Sequence, residues 1–272
     1  MAGPALSEIR GLTFDVFGTV VDWRTSIVNA LTQAAERKLA SAEFSSLAEQ
    51  LQDRLRAVTD AKEWPTFAQE WRSSYGRFTK GFVPGQTAWK DIDTHHRDSL
   101  IELLQQYGLS GVFSADEIEE LSKAWHFLAP WPDSAKGLHA LGEKVVTATL
   151  SNGNRSLLND LNEFGGLGFR EIISAEDFKA YKPNKQTYLG AVQRLGLEPG
   201  QVAMVAAHLG DLRAARGCGL RTVYVERPRE EDWQAGSQEY EDAKTWVDIW
   251  VKEDEEGFLD VARRMGILGP SE

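Results

Sequence analysis

Hydrophobic and polar positions change rhythm twice along this chain. Ile9 to Asp15 is a short apolar run ending at Phe17-Gly18-Thr19, the pattern of a buried strand that stops at a turn. From about Ser26 to His126 apolar residues recur at helical spacing. They predict amphipathic helices over Ile27 to Leu39, Phe44 to Val58, Phe67 to Phe78, Thr94 to Tyr107 and Ala115 to Trp125, with almost nothing resembling a buried strand. From Asp133 the two periods alternate. Helices are expected over Ala135 to Leu141, Arg155 to Phe164 and Lys185 to Leu195, with others starting at Leu212 and running over Gly257 to Met265. Strands are expected over Lys144 to Leu150, Glu171 to Ser174, Gln201 to Ala206 and Arg221 to Val225, with a last one over Trp246 to Val251.

Strands separated by helices call for βαβ crossovers and a mainly parallel sheet. A lone first strand would leave its backbone groups unpaired, so it belongs with the later strands. The expected fold is therefore α/β: a Rossmann-like parallel-sheet core, residues 1–22 and 128–272, with an all-helical cap inserted at residues 23–127.

Composition leaves that picture intact and removes some functions. With 272 residues, 42% hydrophobic and 26% charged, the chain can bury a large core. A net charge of −11 opposes binding to nucleic-acid backbones and to anionic lipid, while a small anionic substrate in a local basic pocket stays open. Cys218 is the sole cysteine, which excludes an intrachain disulfide and cysteine-based zinc sites. No secretory signal is read in Met1 to Arg10, and no run approaches the ~18 apolar residues of a membrane span. A cytoplasmic protein is expected. His95-His96 read as helix surface, Cys218 as a small buried residue, and the acidic runs Glu230 to Asp232 and Glu253 to Glu256 as solvated surface.

Ligands of open α/β sheets collect at the carboxyl ends of the strands. Four groups fall at such positions: Asp15, Ser151-Asn152-Gly153, Lys182-Pro183, and His208 to Asp211. Taken singly, Asp15 at a strand end is as ordinary as a turn cap, and Lys182 before a proline as an exposed lysine. Their common location is what marks them.

Phe14-Asp15-Val16-Phe17-Gly18-Thr19, Leu150-Ser151-Asn152-Gly153, Lys182-Pro183 with Tyr188, and His208 to Asp211 resemble, in order, the four motifs of the haloacid-dehalogenase superfamily. The resemblance covers nearly the whole chain, and within the superfamily it is greatest to the type II 2-haloacid dehalogenases. It implies Asp15 as nucleophile, a carboxylate that splits one hard displacement into two steps. It also implies Thr19 as the group that orients Asp15, and Lys182 as the ammonium that keeps it ionised. Ser151 would bond the substrate carboxylate or the nucleophile. Asp211 would activate water, supported by His208, although His208 reads equally as a neutral loop-end histidine. Tyr188 is a pocket residue or a core one.

Phe17 decides between subclasses. Superfamily phosphatases carry a second Asp two residues after the nucleophile to protonate an alkoxide. Phe17 can move no proton, and a departing halide needs none. Asn152 matches one halide ligand of the dehalogenases; Arg72 is the best match for the other and Arg24 its rival, with Trp23 among the tryptophans that can wall the halogen. His208 and Gly210 depart from the pattern, which has Asn and Trp there.

The reading is a hydrolase of short 2-haloalkanoic acids acting through an aspartyl ester. The alternatives are a phosphatase on a small phosphorylated metabolite and a non-catalytic binding protein of the same fold. No cofactor and no metal are expected, and a homodimer is compatible with the resemblance. The metal-binding motif of superfamily phosphatases has a second Asp four residues after the first, and here Ala215 stands there, leaving a thin oxygen supply for Mg²⁺. Activity should therefore survive EDTA; loss on chelation with recovery on adding Mg²⁺ would overturn this.

Overall fold

The computed structural model describes residues 7–269; Met1 to Leu6, part of the stretch read for a signal, lie outside them. The chain forms two compact units, one built from the segments up to Asp22 and from Ala129 onward, the other from Trp23–Leu128. In chain order the elements begin with β1 (Gly11–Phe14) in the first unit. The second unit holds α1 (Trp23–Ala40), α2 (Glu49–Asp60), α3 (Trp64–Gly81), α4 (Ile92–Gln106) and α5 (Ala115–Ser122). The first unit resumes with α6 (Ser134–Gly142), β2 (Val146–Thr149), α7 (Arg155–Phe164), α8 (Lys185–Leu195), β3 (Val202–Ala206) and α9 (Leu209–Arg216). It ends with β4 (Arg221–Val225), α10 (Gln238–Trp246), β5 (Ile249–Val251) and α11 (Phe258–Arg264).

The five strands form one parallel sheet in the order β2-β1-β3-β4-β5. All residues of β1 and β3 are buried, which explains their continuous apolar runs: a parallel strand covered on both faces has no polar side to display. Phe14 pairs with Thr149 on one side and Val205 on the other, so β1 and β2 end level and β3 runs one residue further, to Ala206. The expected α/β fold with a parallel sheet is the one observed.

Several local expectations differ. Glu171 to Ser174 is not a strand of the sheet; it makes only the isolated bridges Ala148 to Glu171 and Ser151 to Ser174. Thr149 Oγ1 accepts from the Ile173 N–H and donates to the Ile173 carbonyl, both at 2.9 Å, and so takes ladder bonds that backbone would have made. Phe44 to Val58 is broken into a 3-10 turn, Ala42–Ser46, and α2. Ser41 Oγ accepts from Phe44 N, holding the turn apart from the helix. The helix expected over Ala115 to Trp125 tightens into a 3-10 turn after Ser122. α9 starts three residues earlier than expected, at Leu209. α10 was not legible, because its segment buries only Ala243 and lacks an apolar stripe; Ser237, accepting from Tyr240 N, supplies its cap.

Other readings of the surface also need correction. His95 and His96 are buried, at 8% and 2% exposure. They lie on the stripe of α4 that also buries Ile92, Ser99, Leu100 and Leu103. The His96 ring stacks on Trp125 with centroids 4.5 Å apart, and His95 stacks on Phe78 at 4.4 Å. Cys218 is half-buried rather than buried. Among the described residues no helix is long and apolar enough to cross a membrane.

Burial lowers the His95 imidazole to about 4 and holds His96 well below its ordinary value, so both are neutral near pH 7. An unfolded histidine binds its proton near 6.5. Between that value and about 4 the unfolded chain holds more protons, so stability falls as pH falls through the window. Urea unfolding should show a lower midpoint at pH 5 than at pH 7.5, with a smaller difference in His96→Phe. An equal difference in both proteins would refute the assignment.

Candidate active site

Residues from β2 cross β1 to β3, placing the two neighbours of β1 on opposite sides and creating a switch point where the following loops diverge. Asp15 lies one residue beyond β1, and Ser151 to Gly153 follow β2. Ala207 and His208 follow β3 and lead into α9, which carries Asp211 in its first turn. Lys182 arrives from the loop preceding α8 and Tyr188 from α8 itself.

These groups form one hydrogen-bonded network. Lys182 Nζ donates to Asp15 Oδ1 at 2.9 Å and to Asp211 Oδ2 at 2.6 Å, bridging the two carboxylates. Tyr188 donates its hydroxyl to Asp211 Oδ1 at 2.5 Å. Thr19 Oγ1 donates to Asp15 Oδ2 at 2.9 Å and accepts from the Ala207 N–H at 2.9 Å. His208 Nδ1 lies 3.0 Å from the same Oδ2. Asp15 thus meets a donor from the turn after β1, one from the loop before α8 and one from the end of β3.

The charges support each other. Burial alone would raise the Asp15 carboxyl, but Lys182 and His208, by charge and by hydrogen bond, hold it far below the usual carboxylate range. Burial would likewise lower Lys182, yet Asp15 and Asp211 push its ammonium well above its ordinary value. His208 would be lowered by burial; its bonds with Asp15 and Glu230 raise it to about 10. A neutral loop-end histidine is therefore replaced by an imidazolium. Tyr188 is fully buried, and burial followed by the Asp211 charge pushes its phenol upward, so it acts as a fixed donor to Asp211.

Glu230 and Glu231 correct the surface reading of that acidic run. Glu230 is 7% exposed, with Oε2 3.4 Å from His208 Nε2. Glu231 accepts from Leu209 N at 2.6 Å, at the start of α9, and from Trp233 N at 2.7 Å. Both sit in the loop after β4, another carboxyl end of a strand, and that position was the available signal. Gly18 makes room for Glu230: its φ is +85°, and a Cβ there would lie 2.0 Å from Glu230 Oε2.

Other candidates take different places. Asn152 Oδ1 accepts from Lys182 N at 2.7 Å, and its Nδ2 approaches the Lys182 carbonyl at 3.5 Å, so its amide braces the lysine loop. Ser151 Oγ accepts from Gly153 N at 3.2 Å. Phe17 is buried, its ring 3.2 Å from where a Cβ of Gly153 would stand. Gly210 is exposed. Trp23, Arg24 and Arg72 belong to the helical unit. The Arg24 and Arg72 guanidiniums lie 4.4 and 5.7 Å from the Trp23 ring centroid, and Arg72 lies 4.5 Å from that of Tyr75. Arg24 Nη1 also donates to Gln69 at 2.5 Å.

Among the described residues there is no cluster of three His, Cys, Asp or Glu side chains arranged to hold a metal ion. Lys182 Nζ bridges the carboxylates of Asp15 and Asp211.

The sequence model of the haloacid dehalogenase-like hydrolases matches residues 9–219. An (S)-2-haloacid dehalogenase of Pseudomonas sp. (strain CBS-3) is 28% identical over 225 residues, covering 82% of this chain and 86% of that one. The structure of a defluorinating L-2-haloacid dehalogenase superposes with a TM-score of 0.79 at 33% identity, covering 98% of this chain and 99% of that one. A second L-2-haloacid dehalogenase gives 0.75 at 34% identity, with 96% and 100% covered. With sheet order, motif placement and family match in agreement, this chain belongs to the haloacid dehalogenase-like hydrolases.

Proposed function

We propose that the chain is a hydrolytic dehalogenase of short 2-haloalkanoic acids, giving the 2-hydroxy acid and halide through an ester on Asp15. The observation that carries this reading is an ionised, triply bonded Asp15 with Phe17 where a phosphatase keeps its proton donor. An alkoxide leaving group would require a proton at that point. A halide leaves with its electron pair and requires none.

Oδ2 of Asp15 already accepts from Thr19 and faces His208, whereas Oδ1 meets Lys182. Oδ1 is therefore the better nucleophile. It forms a bond to the carbon bearing the halogen as the carbon–halogen bond breaks, with inversion, so an L-2-haloacid yields a D-2-hydroxy acid. Water then adds to Cγ, one of its protons going to Asp211 and on to solvent. The ester bond breaks, the departing oxygen takes the other proton, and Asp15 returns as carboxylate. Asp211 is oriented for its part by Tyr188 and Lys182. Arg72 of the helical unit, whose guanidinium lies over the Trp23 and Tyr75 rings, is assigned as the halide ligand. Ser151 is assigned to the substrate carboxylate and Asn152 to holding Lys182 in place.

Single turnover of L-2-chloropropionate in ¹⁸O-water should place the label in the Asp15 carboxylate, and Asp15→Asn should lower chloride release by about 10⁴-fold or more. An unlabelled Asp15 would sink the ester mechanism, and phosphate release from a panel of phosphomonoesters without halide release would turn the assignment to a phosphatase. Arg72→Ala should cost about 10² in chloride-releasing turnover, the scale for losing a donor to developing charge. A larger loss in Arg24→Ala than in Arg72→Ala would transfer the halide role to Arg24.

A further inference from the structure

We propose that His208 and Thr19 form the oxyanion cradle for hydrolysis of the aspartyl ester, and that Glu230 is the positioning residue that keeps His208 a charged donor. This rests on the ester reading and gives His208 a role other than activating water.

A histidine acting as base must turn an unprotonated ring nitrogen toward the water it deprotonates. Neither nitrogen of His208 is so placed. Nδ1 faces Asp15 Oδ2 at 3.0 Å and Nε2 faces Glu230 Oε2 at 3.4 Å. Carboxylate oxygens on both sides suit a ring with two N–H donors, the imidazolium. Thr19 is equally committed: its oxygen accepts from Ala207 N, and its hydrogen is directed at Asp15 Oδ2. Two donors therefore converge on one oxygen from beyond the carboxyl ends of adjacent strands, before any substrate arrives.

Attack by Oδ1 makes Oδ2 the carbonyl oxygen of the ester. When water adds to Cγ, the C=O electron pair moves onto Oδ2, where these donors already point, and donors aimed at developing charge are the effective ones. The proton count is as given above, since His208 and Thr19 keep their protons throughout. Collapse of the intermediate returns the electron pair to the Cγ–Oδ2 bond and breaks the Cγ–Oδ1 bond, so that Oδ1 leaves as the product hydroxyl and the oxygen from water takes its place on Asp15.

The ester also changes what holds the imidazolium. Asp15 loses its charge on alkylation, and of the carboxylates paired with His208 Glu230 remains, with Glu231 near enough for its charge to interact with the ring. Lys182 lies on the other oxygen of Asp15. Glu230 therefore matters most in the second half-reaction. Its approach is built into the fold, since Gly18, at φ +85°, leaves the space its carboxylate occupies.

The test is rapid-quench turnover of L-2-chloropropionate by the full chain and by Glu230→Gln, with the alkylated Asp15 peptide quantified by mass spectrometry. The variant should release about one equivalent of chloride in a burst, accumulate the ester, and hydrolyse it roughly tenfold more slowly, short of the 10²-fold or more expected for a donor removed outright. Its hydrolysis rate should fall as pH rises from neutrality toward the parent's His208 value of about 10, because the imidazole of the variant loses its proton earlier. Glu230→Asp should restore part of the rate, and His208→Gln should accumulate ester more strongly. If Glu230→Gln does not fold, His208→Gln decides by the same burst. Hydrolysis at the parental rate and pH profile, or hydrolysis that rises with pH as a histidine base requires, would overturn the proposal. Absence of ester in every protein, the parent included, would overturn the ester reading as well.

Discussion

A single buried ammonium between a buried and a half-buried carboxylate is the constraint on which the rest of this site depends. Lys182 and His208 keep the buried Asp15 carboxyl ionised, and the charges of Asp15 and Asp211 in turn keep the Lys182 ammonium protonated. Removing one member of such a buried set costs about 3–5 kcal/mol, because the others are left without compensation. The lysine also ties together three loops that are far apart in the chain, after β1, before α8 and in the first turn of α9. Asn152 extends that hold by gripping the lysine's own backbone. The same contacts thus assemble the site and set the charge of the nucleophile.

The second cation, His208, is held differently. Lys182 is flanked by groups that belong to family motifs, whereas the outer partner of His208 comes from the loop after β4. The two cations divide the oxygens of Asp15 between them, one each, and Thr19 adds a neutral donor to the histidine side. This asymmetry separates an attacking oxygen from a stabilised one within a single carboxylate.

Legibility in the sequence followed the physics of each feature. The parallel sheet could be read because strands buried on both faces are continuous apolar runs, and α7, α8 and β4 lie where their periodicity put them. The positions of Asp15, Lys182 and Asp211 could be read because strand ends collect function, and the structure brings all three into one hydrogen-bonded set. Features that depend on long-range company could not. α10 carries no apolar stripe, and Glu171 to Ser174 looks like a strand until the Thr149 side chain takes its ladder bonds. Glu230 looks like one acid in a run of three; its place after β4 sets the run apart, and the space left by Gly18 and the ring of His208 single out this residue within it. His95 and His96 are polar by residue type, yet each stacks flat on another ring inside the helical unit.

The bond from Ala207 N to Thr19 Oγ1 joins the turn after β1 to the end of β3, and its geometry is inherited from the pairing of Phe14 with Val205. The nucleophile's alignment is thereby an output of strand register. Side chains alternate faces along a strand, so a slip of one residue between β1 and β3 would present the wrong face and disengage Thr19 at once. The sheet works here as a gauge: its backbone ladder converts a discrete count of paired residues into the position of one carboxylate. Tolerance for error in the hydrolytic centre is accordingly set in the middle of the core, by residues that never approach a substrate.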